Sequence, residues 1–244
     1  AGTIGQSMRY LPIFLDLDGR TVVVVGGGEE AWRKLRLLLK TRAQLKVVAP
    51  ALIDEIAAEP RVHWLSRRFA PELLDGAALV YSADEALHGE VAAAAAERRV
   101  PVNAVDAPGI STFITPSIVD RDPLVVAVGT EGTAPVLAVG LRAKIDALLP
   151  ANLGRLAAAA GTLRERVAGL YPAGSRRRAF WQSFFFGAPR EAFLDGDEPG
   201  YARSVETALS AYRDQPPSRV SFLGLRHGDA DLVTLKAQRR LLEA

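Results

Sequence analysis

Short apolar runs alternate with amphipathic stretches along the first half of the chain. Five of these runs predict buried strands: Thr21–Val25, Leu45–Val48, Val62–Leu65, Ala78–Tyr81 and Pro101–Val105. Between them, Glu29–Lys40 predicts a helix with leucines on one side, and a later helix is predicted through Glu90–Glu97. Strands separated by helices of this length form βαβ units, so the pattern predicts an α/β fold with a Rossmann-type doubly wound parallel sheet.

The pattern changes after Asp106. Thr112–Ile114 and Leu124–Val128 predict two further strands. A helix follows that is opened by Thr133 and Pro135 and stopped by Pro150. The residues from there to Arg213 are helical in composition. We therefore expect four parts: a Rossmann-type domain over 1–113, a small mixed segment over 114–150, a helical domain over 151–213, and a linker and tail over 214–244.

The composition is that of a soluble globular protein, since 49% of the residues are hydrophobic and 24% are charged. The formal net charge is only +2, whereas nucleic-acid binders usually carry a much stronger positive bias. Cysteine is absent, which excludes disulfides, thiolate metal sites and a cysteine nucleophile. No apolar run approaches the ~18 residues of a membrane span. These observations predict a cytoplasmic protein with neither a nucleic-acid nor a membrane partner.

A glycine-rich turn joins the first predicted strand to the first predicted helix. Its residues form a G-x-G-x-x-A motif: Gly26, Gly27, Gly28, Glu29, Glu30 and Ala31. In such a motif the first glycine permits a tight turn, the second lets backbone amides approach a pyrophosphate, and the alanine allows close packing of helix on strand. The helix dipole also favours an anion at this end. A glycine turn without a ligand is the alternative, but the strand–turn–helix context favours a dinucleotide site.

The end of the second strand does not identify the dinucleotide. An acid that binds a ribose 2′-hydroxyl, or an arginine that binds a 2′-phosphate, usually stands there. Here the strand ends in Val48, Ala49 and Pro50. Glu29 and Glu30 beside the loop disfavour an additional phosphate, so they favour NAD over NADP.

Asp106 is the best-placed candidate for acid–base chemistry. It directly follows the strand Pro101–Val105, at the carboxyl edge where open α/β sheets bind ligands. A turn residue before Ala107, Pro108 and Gly109 is an equally good interpretation from spacing alone. The three histidines, His63, His88 and His227, are too widely spaced for a metal site, and surface or packing roles are expected for them.

Several motifs, in matching order, resemble the precorrin-2 dehydrogenase/sirohydrochlorin ferrochelatase family, the N-terminal module of siroheme synthase. The resemblance runs from about residue 9 to residue 213. The segments that carry it are Leu11–Phe14, Gly26–Gly28, Asn103–Pro108, Phe113–Ser117, Pro123–Leu124, Gly132–Val136 and Arg177–Trp181.

The resemblance implies a homodimeric enzyme that makes siroheme. It would oxidise precorrin-2 with NAD to sirohydrochlorin and then insert ferrous iron, with residues 114–150 as the dimerisation segment. Asp106 matches the family's essential aspartate, which serves both steps. The NAD-contacting positions correspond to Glu29, Glu30, Pro50 and Ala51. Thr130 stands where some relatives carry a phosphorylatable serine.

The tetrapyrroles of this pathway are polycarboxylates, and residues 151–190 are rich in arginine. This stretch contains a single acidic residue, Glu165, and seven arginines, at positions 155, 164, 166, 176, 177, 178 and 190. Guanidinium groups bind carboxylates bidentately, so the group as a whole suggests substrate binding. A solvated helix face is the alternative for any one of them.

The tail resembles the start of a uroporphyrinogen-III methyltransferase domain. Val220–Gly224 and Gly228–Lys236 match its first strand and loop, but the loop over residues 224–229 lacks the second glycine and the proline of the G-x-G-P-G-D pattern. We therefore expect a degenerate remnant without methyltransferase activity.

Two alternatives to the bifunctional enzyme stay open from the sequence. The first is a dehydrogenase without chelatase activity, because no chelatase-specific ligand set is visible. The second is an NAD-sensing regulatory module, in which Asp106 is only a turn residue.

Overall fold

The computed structural model describes residues 8–171, 173–211, 234 and 237. The chain divides into two compact units. The first comprises the residues up to 116 together with 129–135, and the second comprises 117–128 together with the residues from 136 onward.

The first unit contains the predicted parallel sheet. Its strands are β1 (Thr21–Val25), β2 (Gln44–Val48), β3 (Val62–Ser66), β4 (Leu79–Ser82) and β5 (Val102–Ala104), in the spatial order β3-β2-β1-β4-β5. All four neighbouring pairs are parallel. The helices are α1 (Glu29–Leu38), α2 (Asp54–Ala57) and α3 (His88–Glu97), with 3-10 turns at Pro71–Leu74 and Glu85–Leu87. The doubly wound sheet is thereby confirmed.

The central strand shows why the sequence folds in this way. Val22 and Val24 of β1 pack into one apolar cluster with α1, whereas Val23 and Val25 pack into another with α3. Because both faces of the strand are covered, all four valines are fully buried. An uninterrupted apolar run is the expected signature of such a strand.

The predicted strand Thr112–Ile114 is wrong. The structure has bends there, and the next strand begins only at Ser117. The Thr112 hydroxyl accepts the Val102 N–H at 2.8 Å, and Asn103 Nδ2 donates to the Phe113 carbonyl at 2.9 Å. The segment still lies against β5, because the Thr112 N–H donates to the Val102 carbonyl at 2.8 Å. The Thr112 and Asn103 side chains make the neighbouring bonds that a strand would have made with its backbone, which is the competition that such side chains introduce.

The second unit consists of a hairpin and helices. Its antiparallel strands are β6 (Ser117–Arg121) and β7 (Leu124–Val128). The helices that follow are α4 (Pro135–Leu148), α5 (Leu153–Leu170), α6 (Ser175–Phe186), α7 (Ala188–Asp195) and α8 (Glu198–Ala211). Phe180 and Phe184 of α6 are completely buried in the core of this unit, together with Leu156 of α5. The helical composition after residue 150 is confirmed as far as residue 211.

The predicted linker and methyltransferase-like remnant over 214–244 lie outside the described residues, apart from Thr234 and Ala237. In the part of the chain that the structure describes, none of the helices combines the length and the apolar character needed to cross a bilayer.

Candidate active site

The carboxyl ends of β1, β4 and β5 lie side by side in the sheet. Gly26 follows β1, Ala83 follows β4, and Asp106 stands two residues after β5. The chain passes from β1 to β2 on one side and from β3 to β4 on the other, so the sheet order reverses between β1 and β4. Open α/β sheets bind ligands in the crevice at such a switch point.

The first two glycines of the loop are required by close backbone approaches. Gly26 has a φ of +126°, and a Cβ there would lie 2.9 Å from the carbonyl carbon of Ala83. A Cβ on Gly27 would overlap the carbonyl oxygen of Ala51. The Gly27 carbonyl also accepts the Ile53 N–H at 2.9 Å, so the loop is held against the segment after β2. Of the predicted positions, Ala51 therefore borders the glycine loop, and Pro50 directly precedes it in the chain.

Gly28 has the opposite environment. It is exposed, its φ of −100° is open to any residue, and a Cβ there would meet no atom within 4 Å. Gly28 is also the N-cap of α1, and no side chain caps that helix end. Backbone N–H groups of a first turn that lack such a cap are available to an anion. Ala31 is fully buried against β1, as the motif requires.

The acidic residues at the start of α1 differ in their surroundings. Glu29 is exposed, whereas the Glu30 carboxylate pairs with Arg33 at 2.8 Å. At the end of β3, Arg67 donates to the Pro50 carbonyl at 3.0 Å and its guanidinium lies 4.3 Å from the centre of the Trp64 ring. Sequence reasoning missed this cation because it looked for one at the end of β2.

Asp106 is exposed and has a φ of +58°, which is uncommon for a residue other than glycine. The flanking residues pair with the sheet edge, because the Val105 N–H donates to the Ser82 carbonyl at 2.9 Å and the Ala107 N–H donates to the Ala104 carbonyl at 3.2 Å. The carboxylate is thus carried by a tight turn at the carboxyl edge of the sheet. This geometry accommodates both interpretations that the sequence left open.

Lys34 of α1 belongs to the same surroundings, although the sequence analysis did not identify it. Its Nζ lies 5.7 Å from the centre of the Tyr81 ring. Burial lowers the pKa of Lys34, and this effect is opposed by the negative charges of Glu30 and Asp106. Lys34 therefore brings a half-buried positive charge close enough to interact with the Asp106 carboxylate.

The tyrosine beneath Lys34 is part of a wall on the β4 side. Its hydroxyl bonds to Thr115 Oγ1 at 3.0 Å, and its ring meets Phe113 edge-on with centroids 5.3 Å apart. Burial raises the pKa of Tyr81, so its hydroxyl is protonated and neutral at physiological pH. The residues 113–115 that carry the family resemblance thus pack beside the sheet edge.

The histidines take the packing and surface roles that the sequence predicted, as far as they are described. His88 is buried and bonds to Ser82 and to the Val105 carbonyl, whereas His63 is exposed on β3. His227 lies outside the described residues. Within the described ranges, no group of three or more His, Cys, Asp or Glu side chains is placed to hold a metal ion.

Four of the seven arginines make an internal contact or are buried. Arg166 makes two bonds of 2.7 Å to the Glu206 carboxylate, which lower the pKa of Glu206. Arg177 donates to the Tyr171 carbonyl at the end of α5, and Arg190 is buried. Arg155 is exposed, with its guanidinium 6.0 Å from the centre of the Phe193 ring, and Arg164, Arg176 and Arg178 are exposed as well.

Thr130 is half-buried in the loop after β7. Its carbonyl accepts the Thr133 N–H at 2.9 Å and the Thr133 hydroxyl at 2.6 Å. The neighbouring Glu131 accepts the Arg9 N–H at 2.8 Å. The loop is therefore an ordered turn tied to the N-terminal segment.

Two family models match the chain. One describes an NAD(P)-binding domain and covers residues 13–117, and the other describes the sirohaem synthase dimerisation region and covers residues 152–209. The dimerisation label thus falls on α5 to α8, whereas the sequence analysis expected that role for residues 114–150.

The chain is similar to curated proteins along nearly its whole length. It is 45% identical to the siroheme synthase of Methylobacillus flagellatus over 242 residues, and 45% identical to siroheme synthase 3 of Aeromonas hydrophila subsp. hydrophila over 244 residues. Each alignment covers 97% of this chain and 52% of the relative. The chain therefore spans about half the length of the curated relatives it matches.

Among solved structures, the chain resembles "SirC, precorrin-2 dehydrogenase", with a TM-score of 0.62 and 20% sequence identity. The superposition covers 82% of this chain and 98% of the other. At this level of identity, the likeness concerns the fold.

Proposed function

The chain belongs to the siroheme synthase family, as its N-terminal module, and from this premise we propose that it oxidises precorrin-2 to sirohydrochlorin with NAD and inserts ferrous iron to give siroheme. The observation that carries the proposal is the position of Asp106. Asp106 follows the carboxyl end of β5, and the glycine loop follows the carboxyl end of β1, so both lie at the same edge of the parallel sheet.

The glycine loop supports the cofactor assignment. The open space at Gly28 and the uncapped start of α1 fit a pyrophosphate, and Ala51, next to Pro50, borders the loop on the β2 side. NAD⁺, when bound, supplies the hydride acceptor. We assign NAD rather than NADP because the acidic Glu29 and Glu30 begin α1 and disfavour an additional phosphate. Arg67 beside Pro50 is a cation that favours such a phosphate, so the assay includes both cofactors.

Asp106 acts as the general base for the oxidation. Removal of a hydride from precorrin-2 leaves a proton to be lost from the macrocycle, and a carboxylate at the sheet edge accepts it. Lys34 brings a positive charge near this carboxylate, and Tyr81 with its neighbour Phe113 supplies an apolar wall.

The same carboxylate serves the insertion of iron. The macrocycle supplies four nitrogen ligands and loses two pyrrole protons as the ferrous ion enters, so the protein needs a proton acceptor more than a metal cage. Asp106 is exposed and accepts these protons one at a time, passing them to solvent.

We also propose that the protein is a homodimer. The family model for a dimerisation region matches residues 152–209. In addition, α4 carries large apolar side chains that are exposed in one protomer: Val136, Leu137, Val139 and Leu141. Contiguous exposed apolar surface commonly marks an interface. Phosphorylation of Thr130, substrate binding by the exposed arginines and a cytoplasmic location stay predictions.

An anaerobic assay tests the proposed function. Precorrin-2 is supplied with NAD or NADP, the oxidation is followed by absorbance, and ferrous iron is then added. We expect Asp106→Asn to lower the oxidation by at least ~10²-fold, the lower end of general-base contributions, with NAD binding unchanged. Iron insertion is expected to fall as well.

The outcomes separate the alternatives. Oxidation without iron insertion by the unaltered protein identifies a dehydrogenase only. NAD binding without any turnover identifies a sensing module. An Asp106→Asn variant with both activities intact refutes the role of Asp106.

A further inference from the structure

A buried histidine lies directly under the Asp106 turn, and the mechanism above does not use it. His88 begins α3 and is 8% exposed. Its Nδ1 lies 2.8 Å from the Ser82 hydroxyl at the end of β4, and its Nε2 lies 3.0 Å from the Val105 carbonyl oxygen. The ring therefore bridges β4 and the residue that precedes Asp106.

The partners determine which ring nitrogen carries the proton. The Val105 carbonyl only accepts hydrogen bonds, so Nε2 must donate to it. The Ser82 hydroxyl both donates and accepts, so it matches Nδ1 in either role. Both ring nitrogens therefore have a partner, as a buried site requires.

The bond to Val105 acts on the backbone of Asp106. The Val105 carbonyl and the Asp106 N–H belong to one planar peptide group. The angle φ of Asp106 is the rotation about the bond that joins the nitrogen of this group to the Asp106 Cα. This φ is +58°, in the left-handed region that only glycine adopts freely. Surrounding contacts must hold such a conformation.

Contacts of this kind are found on both sides of Asp106. On the N-terminal side, the Val105 N–H is bonded to the Ser82 carbonyl and the Val105 carbonyl to His88. On the C-terminal side, the Ser111 hydroxyl accepts the Ala104 N–H at 3.0 Å and donates to the Ala107 carbonyl at 2.9 Å. His88 is the side chain that holds the peptide group immediately before Asp106.

We propose that His88 is a positioning residue, whose Nε2–H bond to the Val105 carbonyl fixes the peptide plane before Asp106 and so directs the catalytic carboxylate. The inference rests on the proposed role of Asp106 as the base. The direction of the Asp106 carboxylate follows the backbone conformation of that residue. A displacement of the carboxylate by about 1 Å is enough to lower the rate about 10²-fold.

Two amide variants test the proposal, because they differ only in reach. In His88→Gln the side-chain amide reaches the place of Nε2 and can donate to Val105. In His88→Asn the amide is one methylene shorter and reaches the place of Nδ1 beside Ser82. Both variants keep a polar, uncharged side chain, and Ser82→Ala is the control that removes only the bond on the Nδ1 side.

We expect kcat for precorrin-2 oxidation to fall at least tenfold in His88→Asn and to stay within threefold of the unaltered protein in His88→Gln. The KM for NAD and the thermal midpoint are expected to be similar in the two amide variants. Ser82→Ala is expected to lower the thermal midpoint and to keep kcat.

Equal kcat values in the two amide variants, or a kcat that follows the thermal midpoint across all three variants, would overturn the positioning role. Asp106→Asn is assayed in parallel. If it keeps its activity, the proposed function has failed; if it is inactive while His88→Asn keeps its kcat, only the inference about His88 has failed.

Discussion

Adjacent glycines of the dinucleotide loop respond differently to a side chain, and this contrast gives a sharp test of the cofactor site. A Cβ on Gly28 enters open space, whereas a Cβ on Gly27 overlaps the Ala51 carbonyl oxygen and lies 2.9 Å from the Ala49 Cβ. We therefore expect Gly28→Val to affect the ligand and Gly27→Ala to affect the fold.

The magnitudes follow from these surroundings. Overpacking against a backbone that must shift costs about 1–3 kcal/mol, so Gly27→Ala is expected to lower the thermal midpoint by roughly 3–10 °C in a chain of this size. Gly28→Val loses at most about 1 kcal/mol through the N-cap of α1. Its side chain occupies the space where a pyrophosphate approaches, so NAD affinity is expected to fall at least tenfold, on the order of 1.4 kcal/mol.

Two measurements on each variant are sufficient. Thermal unfolding without NAD reports the fold, and calorimetric titration with NAD reports the affinity. A folded Gly28→Val protein with unchanged NAD affinity would refute the cofactor site. A Gly27→Ala protein with an unchanged midpoint would refute the close approach of the loop to the segment after β2.

Further predictions concern Lys34 and the dimer. Burial lowers the pKa of Lys34 below its ordinary value of 10.5. The protonated lysine therefore lowers the stability of the folded state at neutral pH. This loss of stability disappears as the pH rises through the folded pKa towards 10.5. Lys34→Met is therefore expected to raise the thermal midpoint at neutral pH, and the difference should close in alkaline buffer; a lower midpoint at neutral pH would contradict this. Val136 is 84% exposed in the single chain, so Val136→Glu is expected to leave the fold intact. Light scattering at micromolar concentration is expected to show a shift of the mass from that of a dimer towards 26.2 kDa, and Val136→Ala is the control. A mass near 26.2 kDa for the unaltered protein would refute the homodimer.

The sequence by itself determined the sheet and its glycine loop. Every residue of Val22–Val25 is buried, and a parallel strand covered on both faces requires an uninterrupted apolar run that is visible along the chain. The glycine motif is similarly local, because the turn, the helix start and the alanine that packs on β1 lie within six consecutive positions. Signals of this kind depend only on neighbours in sequence.

Only the tertiary structure decided which side chains meet at the Asp106 turn. Lys34 interacts with the Asp106 charge and lies over the Tyr81 ring, and His88 bonds to the carbonyl of the preceding residue. These three lie 72, 25 and 18 positions before Asp106 in the chain, and each also has an ordinary local interpretation as a helix or strand residue. The predicted strand Thr112–Ile114 failed for the same kind of reason, since the Thr112 hydroxyl bonds to Val102, ten residues earlier. Such contacts arise because the sheet order sets β1, β4 and β5 side by side, and that order is a property of the packed chain that no single segment encodes.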